Sequence, residues 1–158
     1  MTTFRESPVT DVTAHALLAE YFAYREQTFP NAAGYVTTFP SPEQFVPPAG
    51  VFLVVEVDGE AVGCGGIRDL GGGRFEVKHL WLRPGLQGRG LGRALLAELE
   101  TRAIGLGATE LVLDTNASLA AAGGLYRSSG YADIEPYNDN PNATNWYAKR
   151  VSTPPDHR

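Results

Sequence analysis

The chain has 158 residues, 43% of them apolar and 20% charged, with a formal net charge of -5 at pH 7, a profile that suits one soluble domain with a real core. No run of Lys or Arg stands out, which argues against phosphate-backbone binding and so against a nucleic-acid partner. Cys64 is the one cysteine, and His15, His79 and His157 show no paired ligand spacing, so neither an internal disulfide nor a metal site is expected.

The opening "TTFRESPVTD" lacks the basic region and apolar core of a signal peptide, and no apolar stretch approaches the ~20 residues that span a bilayer. The expectation is a cytoplasmic protein without a membrane partner. Residues 10–27 then carry Val12, Leu17, Leu18, Tyr21 and Phe22 close to helical spacing, with Asp11 or Thr10 available as the cap. The next stretch, "TFPNAAGYVTTFPSPEQFVPPAG", holds five prolines and predicts a loop or lid. Its aromatics (Phe29, Tyr35, Phe39, Phe45) predict that it packs on the domain.

"VFLVVEV", 51–57, predicts a buried strand, and Asp58-Gly59 a tight hairpin into a second. "GGG" at 71–73 turns the chain into a third strand, "RFEVKHLWL", 74–82, which Pro84 ends. A helix follows to about Leu106, with Leu91, Leu95 and Leu99 as its core stripe and Gly105 and Gly107 closing it. "TELVLDT", 109–115, predicts a fourth strand, and a helix starts at Asn116 despite Gly123 and Gly124. Gly130 caps that helix, "YADIEPY" returns as a strand, and "NWYAKRV" is the last. This order predicts an α+β fold in one domain, 1–158: a central, mostly antiparallel twisted sheet of about six to seven strands with helices on both faces. A strand edge near the C-terminus is available to pair in a homodimer.

The stretch "LQGRGLG", 86–92, places Gly88, Gly90 and Gly92 at alternate positions just before a helix. Unpaired N–H groups at a helix start carry the positive end of its dipole and bind pyrophosphate, and glycines let it approach the backbone. Arg89 and Arg93 add charge. A dinucleotide-binding turn needs G-x-G-x-x-G inside a parallel unit, and a Walker-type loop needs G-K-[ST]; neither is present. A plain strand-to-helix turn is the alternative.

"QGRGLG" after a strand ending "WLRP" resembles the Q/R-x-x-G-x-G/A signature of the GNAT superfamily of N-acetyltransferases. "LVLDTNASLAAAGGLYRSSGY" resembles the family's next segment: strand, Asn, a helix carrying Leu-Tyr, then Gly and an aromatic. The likeness runs from about Val51 to Val151. It implies acetyl-coenzyme A as co-substrate, its pyrophosphate held by Gln87, Gly88, Arg89, Gly90, Leu91, Gly92 and Arg93. It further implies that pantetheine pairs with the backbone of Leu80, Trp81 and Leu82. Asn116 then either caps its helix or hydrogen-bonds the pantetheine arm.

An amine attacks a thioester only when unprotonated, so the enzyme needs a proton acceptor, donors for the thioester oxygen and a proton for the departing thiolate. The resemblance places Glu76 where the histone-acetyltransferase branch has its catalytic glutamate, and Tyr126 where the family's tyrosine protonates the thiolate. His79 is the other candidate base; by the period of two it points to the face opposite Glu76. Asn138, Asp139, Trp146 and the loop Phe29–Phe45 are candidate walls of the acceptor pocket, while Arg68 and Asp69 are expected to pair locally or face water. The implied activity is acetyl transfer to a primary amine by direct attack in a ternary complex. A non-catalytic acyl-coenzyme A-binding module, which needs neither Glu76 nor Tyr126, is the alternative.

Overall fold

In the computed structural model, which describes residues 1–29, 37–86, 90–116 and 120–151, seven strands form one sheet. They are β1 (Thr2–Glu6), β2 (Gly50–Val57), β3 (Glu60–Gly71), β4 (Arg74–Leu82), β5 (Glu110–Thr115), β6 (Ala132–Asp133) and β7 (Asn145–Arg150). The order across the sheet is β1-β2-β3-β4-β5-β7-β6, with every neighbouring pair antiparallel except β4–β5. The helices are α1 (Val12–Thr28), α2 (Leu91–Gly105) and α3 (Ala120–Ser128), and a short 3-10 turn spans Pro42–Phe45. The expected α+β architecture is observed.

Local chemistry explains the elements. Asp11 caps α1 by accepting from the N–H groups of Thr13 and Ala14 at 3.1 and 3.4 Å. Asp58 and Gly59 both take positive φ, 51° and 85°, the backbone of a tight two-residue hairpin. β2 is apolar from Val51 to Val55 because that stretch is covered on both sides. Val51, Leu53 and Val55 face a core with Leu95, Leu96 and Leu99 of α2, while Phe52 and Val54 face Leu17, Leu18 and Phe22 of α1.

β3 contains the run Gly-Cys-Gly-Gly because two neighbours press against it. A methyl at Gly65 would lie 3.0 Å from Leu99 Cδ1, and one at Gly66 would lie 2.7 Å from Phe45 Cε1. The glycines thus seat α2 on one face and the Pro42–Phe45 turn on the other.

Two details differ from expectation. β1 was not foreseen: of its five residues only Phe4 is even half-buried, so the edge strand carries no apolar alternation to read. The strand expected at 131–137 shrinks to Ala132–Asp133. Ile134 still donates to Trp146 O, but the chain then leaves the sheet, and Pro136 has no N–H with which to continue the ladder.

Candidate active site

Two irregularities in β4 make the site. Gly66 of β3 pairs with Lys78 and Cys64 pairs with Trp81, so Gly65 alone faces two β4 residues, His79 and Leu80. His79 is the bulged residue, at φ 58°. The second irregularity is a fork: β4 and β5 pair only over Arg74–Glu76 and Glu110–Val112. Beyond Glu76 the edge of β4 that faces β5 has no strand partner. Arg83 N–H donates to Val62 O on the β3 side, so by alternation the N–H of Leu82 points to this open edge.

The fork leads into a cavity of about 530 Å³. Tyr21, Phe22 and Arg25 line it from α1, and Phe39, Ser41, Gln44 and Phe45 from the segment before β2. Arg68, Lys78, His79 and Leu80 contribute from β3 and β4, and Asp114 and Thr115 from β5. Tyr126 enters from α3, and Asn138, Asp139, Asn140 and Asn142 from the loop before β7. This volume lies within the range of small-molecule sites. Of the residues expected to wall the acceptor pocket, Phe29 does not line this cavity and residues 30–36 of that loop lie outside the described residues, while Phe39, Phe45, Asn138 and Asp139 do line it. Trp146 stands behind them, its indole N–H donating to Asn138 Oδ1 at 2.9 Å.

On the other side of the fork lies the start of α2. Gly90 caps it at φ 74°, and Ala94 N–H donates to Gly90 O as the first helical bond. The N–H groups of Leu91, Gly92 and Arg93 therefore have no carbonyl partner inside the helix. A methyl at Gly92 would touch Leu125 at 3.4 Å and Leu82 at 3.8 Å, so the helix start packs directly over the end of β4. The Arg93 guanidinium reaches Ser128 Oγ at 2.9 Å and Ser128 O at 3.3 Å, fastening α2 to the end of α3. Gln87, Gly88 and Arg89 lie outside the described residues. Leu80 and Leu82 are half-buried beside the fork, whereas Trp81 turns its side chain into the core with α1.

Tyr126 has a buried ring, packed 6.0 Å from both Tyr131 and Tyr147. Among the described residues its hydroxyl makes no hydrogen bond, and it reaches the cavity. Burial pushes its phenol above the ordinary tyrosine value, so it stays protonated at neutral pH. Asn116 is buried at the end of β5 and donates through Nδ2 to Asn142 O at 3.0 Å, tying the strand to the loop wall.

Glu76 occupies a different setting from the one expected of a base. It has no exposed surface. Its Oε1 accepts from Arg68 Nε at 2.8 Å and its Oε2 from the Tyr137 hydroxyl at 2.6 Å. Arg68 in turn donates to Gln44 Oε1 at 2.9 Å. Glu76 is thus the centre of a chain joining the loop before β7, strand β3 and the Pro42–Phe45 turn, and the cavity lining passes it by. Arg68, expected to pair locally or face water, does pair with its cross-strand neighbour Glu76, and it also lines the cavity. Arg68 and Glu76 flank the turn at 71–73 symmetrically, but no spacing in the sequence joins them to Gln44 or Tyr137.

His79 also departs from the period-of-two expectation. The bulge turns it to the α1 face that Glu76 also occupies, with its ring 5.8 Å from Tyr21, 5.5 Å from Phe22 and 6.1 Å from Phe45. Burial, with Lys78, Arg68 and Arg25 nearby, pushes its imidazole down to about 3. Such a group is neutral at pH 7 and a poor proton acceptor. The carboxylate that does line the cavity from the sheet is Asp114, which accepts amide N–H bonds from Asn138 at 2.6 Å and Asn140 at 3.1 Å. Among the described residues no cluster of His, Cys, Asp and Glu could hold a metal, and no helix is long and apolar enough to cross a membrane.

The sequence model described as "Acetyltransferase (GNAT) family" matches residues 13–131. An IAA acetyltransferase from Azospirillum brasilense is 33% identical over 87% of this chain and 88% of its own length. The solved structure of an acyl-CoA N-acyltransferase from Klebsiella pneumoniae, 29% identical, superposes with a TM-score of 0.77 over 96% of this chain and 99% of that one. A GNAT family acetyltransferase from Elizabethkingia anophelis, solved with acetyl-CoA bound, shares the fold at 17% identity and a TM-score of 0.65, covering 95% and 98%. A protein with this sheet, this fork in β4 and these relatives is an acetyltransferase, and the chain belongs to the GNAT family.

Proposed function

We propose that the protein transfers an acetyl group from acetyl-coenzyme A to a small primary amine by direct attack in a ternary complex. The observation that carries this reading is the fork: the start of α2 lies on one side, the cavity on the other, and the Tyr126 hydroxyl opens between them. The donor fits these residues. The unpaired N–H groups of Leu91, Gly92 and Arg93 suit its pyrophosphate, and the open edge of β4 at Leu80–Leu82 suits an extended arm that pairs like an added strand. The bound donor supplies the thioester.

The chain's own groups then divide the work. Backbone N–H groups on the open edge of β4 are aimed where a thioester oxygen would gain charge. Asp114 accepts the proton that the amine must lose, directly or through a water molecule. Tyr126 gives its phenol proton to the sulfur as the carbon–sulfur bond breaks and the carbon–nitrogen bond forms. Glu76 acts through Arg68, holding that guanidinium and the two loops of the cavity in place.

The test is thiol release from acetyl-coenzyme A by the purified protein, with and without a panel of amines. Release that depends on the amine supports the reading. Calorimetric titration against acetyl-coenzyme A, ATP and NAD accompanies it, and no binding of acetyl-coenzyme A would sink the reading.

A further inference from the structure

The charges around the cavity are unevenly arranged. Arg25 is only 8% exposed, yet it lines the cavity from the last turn of α1, with its Nη1 donating to Tyr21 OH at 3.1 Å. Lys78 is half-buried and lines the same cavity from β4, and among the described residues it makes no hydrogen bond or ion pair. Arg68 is the third cation, its charge answered by Glu76. All three lie close enough to His79 to oppose its protonation, and Lys78, of the three, makes no ion pair among the described residues. On the acidic side Asp114 is held by two amides near Tyr126, and Asp139 is exposed at the rim. The floor between is aromatic: Phe22, Phe39, Phe45 and the neutral face of His79.

A partly desolvated ammonium without an acid beside it is costly to maintain unless a ligand supplies the anion. A simple cationic amine would be repelled at the Lys78 end and drawn to Asp114 and Asp139. We propose that the acceptor is an amine that also bears a carboxylate, the amino acid class, with the carboxylate held by Lys78 and Arg25 and the amine turned toward Asp114 and Tyr126. The aromatic floor then takes an apolar side chain. This inference rests on the acetyltransferase reading and deepens it by naming the acceptor's chemistry.

The experiment compares free L-amino acids with the amine left when each loses its carboxylate, for example phenylalanine against phenethylamine, by thiol release. The amino acids are expected to be better substrates by about tenfold or more in kcat/KM, the scale of one desolvated charge-assisted contact. Lys78→Met is expected to raise the KM for the amino acid about tenfold while acetyl-coenzyme A binding by calorimetry stays unchanged. Lys78→Glu is expected to reverse the preference toward the carboxylate-free amine. Equal or better use of the carboxylate-free amines, or a Lys78→Glu protein with unaltered preference, overturns the inference alone. Acetyl-coenzyme A binding without turnover of any amino acid also overturns it. Loss of acetyl-coenzyme A binding itself would instead point to failure of the underlying reading.

Discussion

The Tyr137 hydroxyl donates to Glu76 Oε2 at 2.6 Å, closing a hydrogen-bonded chain over a carboxylate with no exposed surface. The other end of that carboxylate holds Arg68, which is partly exposed at the cavity. A buried anion with both oxygens engaged cannot exchange protons freely with a bound amine; what it can do is hold its partners still.

The consequence is separable from a base role. Glu76→Gln keeps the shape, removes the charge and is expected to cost about 2 kcal/mol of stability; Tyr137→Phe is expected to cost about 1 kcal/mol. Urea unfolding reads both. In kinetics both variants should raise the KM for the amine more than they lower kcat. If Glu76→Gln instead leaves stability intact and shifts the acid limb of the kcat–pH profile, Glu76 is the proton acceptor after all.

Tyr126 should behave differently. Its ring is packed on both sides, so Tyr126→Phe leaves the core filled and deletes only the hydroxyl that faces the cavity. Turnover is expected to fall about 100-fold, the usual contribution of a positioned acid, with the acetyl-coenzyme A dissociation constant little changed. Because burial raises its phenol, the loss of activity at high pH should not begin near the ordinary tyrosine value. Stopped-flow thiol release across pH checks both statements, and an unchanged kcat removes Tyr126 from the mechanism.

How much of this could be read beforehand depends on the range of each interaction. β4 was legible to the residue, because Gly73 and Pro84 bracket an alternating run, and α1 because Asp11 announces its start. The α2 turn was legible as a motif. What stayed hidden depends on register and on pairings distant in sequence. The bulge at His79 leaves no trace in "EVKHLWL", yet it changes which face His79 occupies. The Glu76–Arg68–Gln44 chain and the Asp114–Asn138 bond join residues whose proximity is created only when the strands align. Local elements were therefore readable as pattern, and the pairings that join them around the cavity were not.

Gly90 offers a test of the coenzyme side that does not touch a charged group. It sits at φ 74°, and a methyl there would meet nothing within 4 Å, so the cost of Gly90→Ala is wholly in the backbone. That cost is about 1–2 kcal/mol if the residue keeps its angle. Relaxation toward negative φ would instead re-aim the first N–H groups of α2. Weaker acetyl-coenzyme A binding by calorimetry, with the amine KM unaltered, is the expected result. Gly92→Ala, whose methyl makes ordinary contact with Leu125 and Leu82, should be the milder change.

His79 gives the pH prediction, and its sign follows from the shift. The unfolded imidazole takes up a proton near its ordinary value of 6.5, while the folded one resists until about 3. Between those values the unfolded chain binds more protons, so stability contributed by neutral His79 is present above pH 6.5 and is lost as pH falls toward 3. One proton sets a limit of about 1.4 kcal/mol per pH unit on that slope. His79→Asn should flatten the fall, because asparagine tolerates the left-handed backbone of the bulge and does not titrate. His79→Val also removes the titration, but it adds about 1–2 kcal/mol of strain at every pH, since a β-branched residue resists φ 58°. Urea unfolding of the three proteins from pH 7 to pH 4 separates the two effects. A variant slope equal to that of the parent would show that the imidazole is solvated, and with it that the three cations do not converge on this point of the cavity.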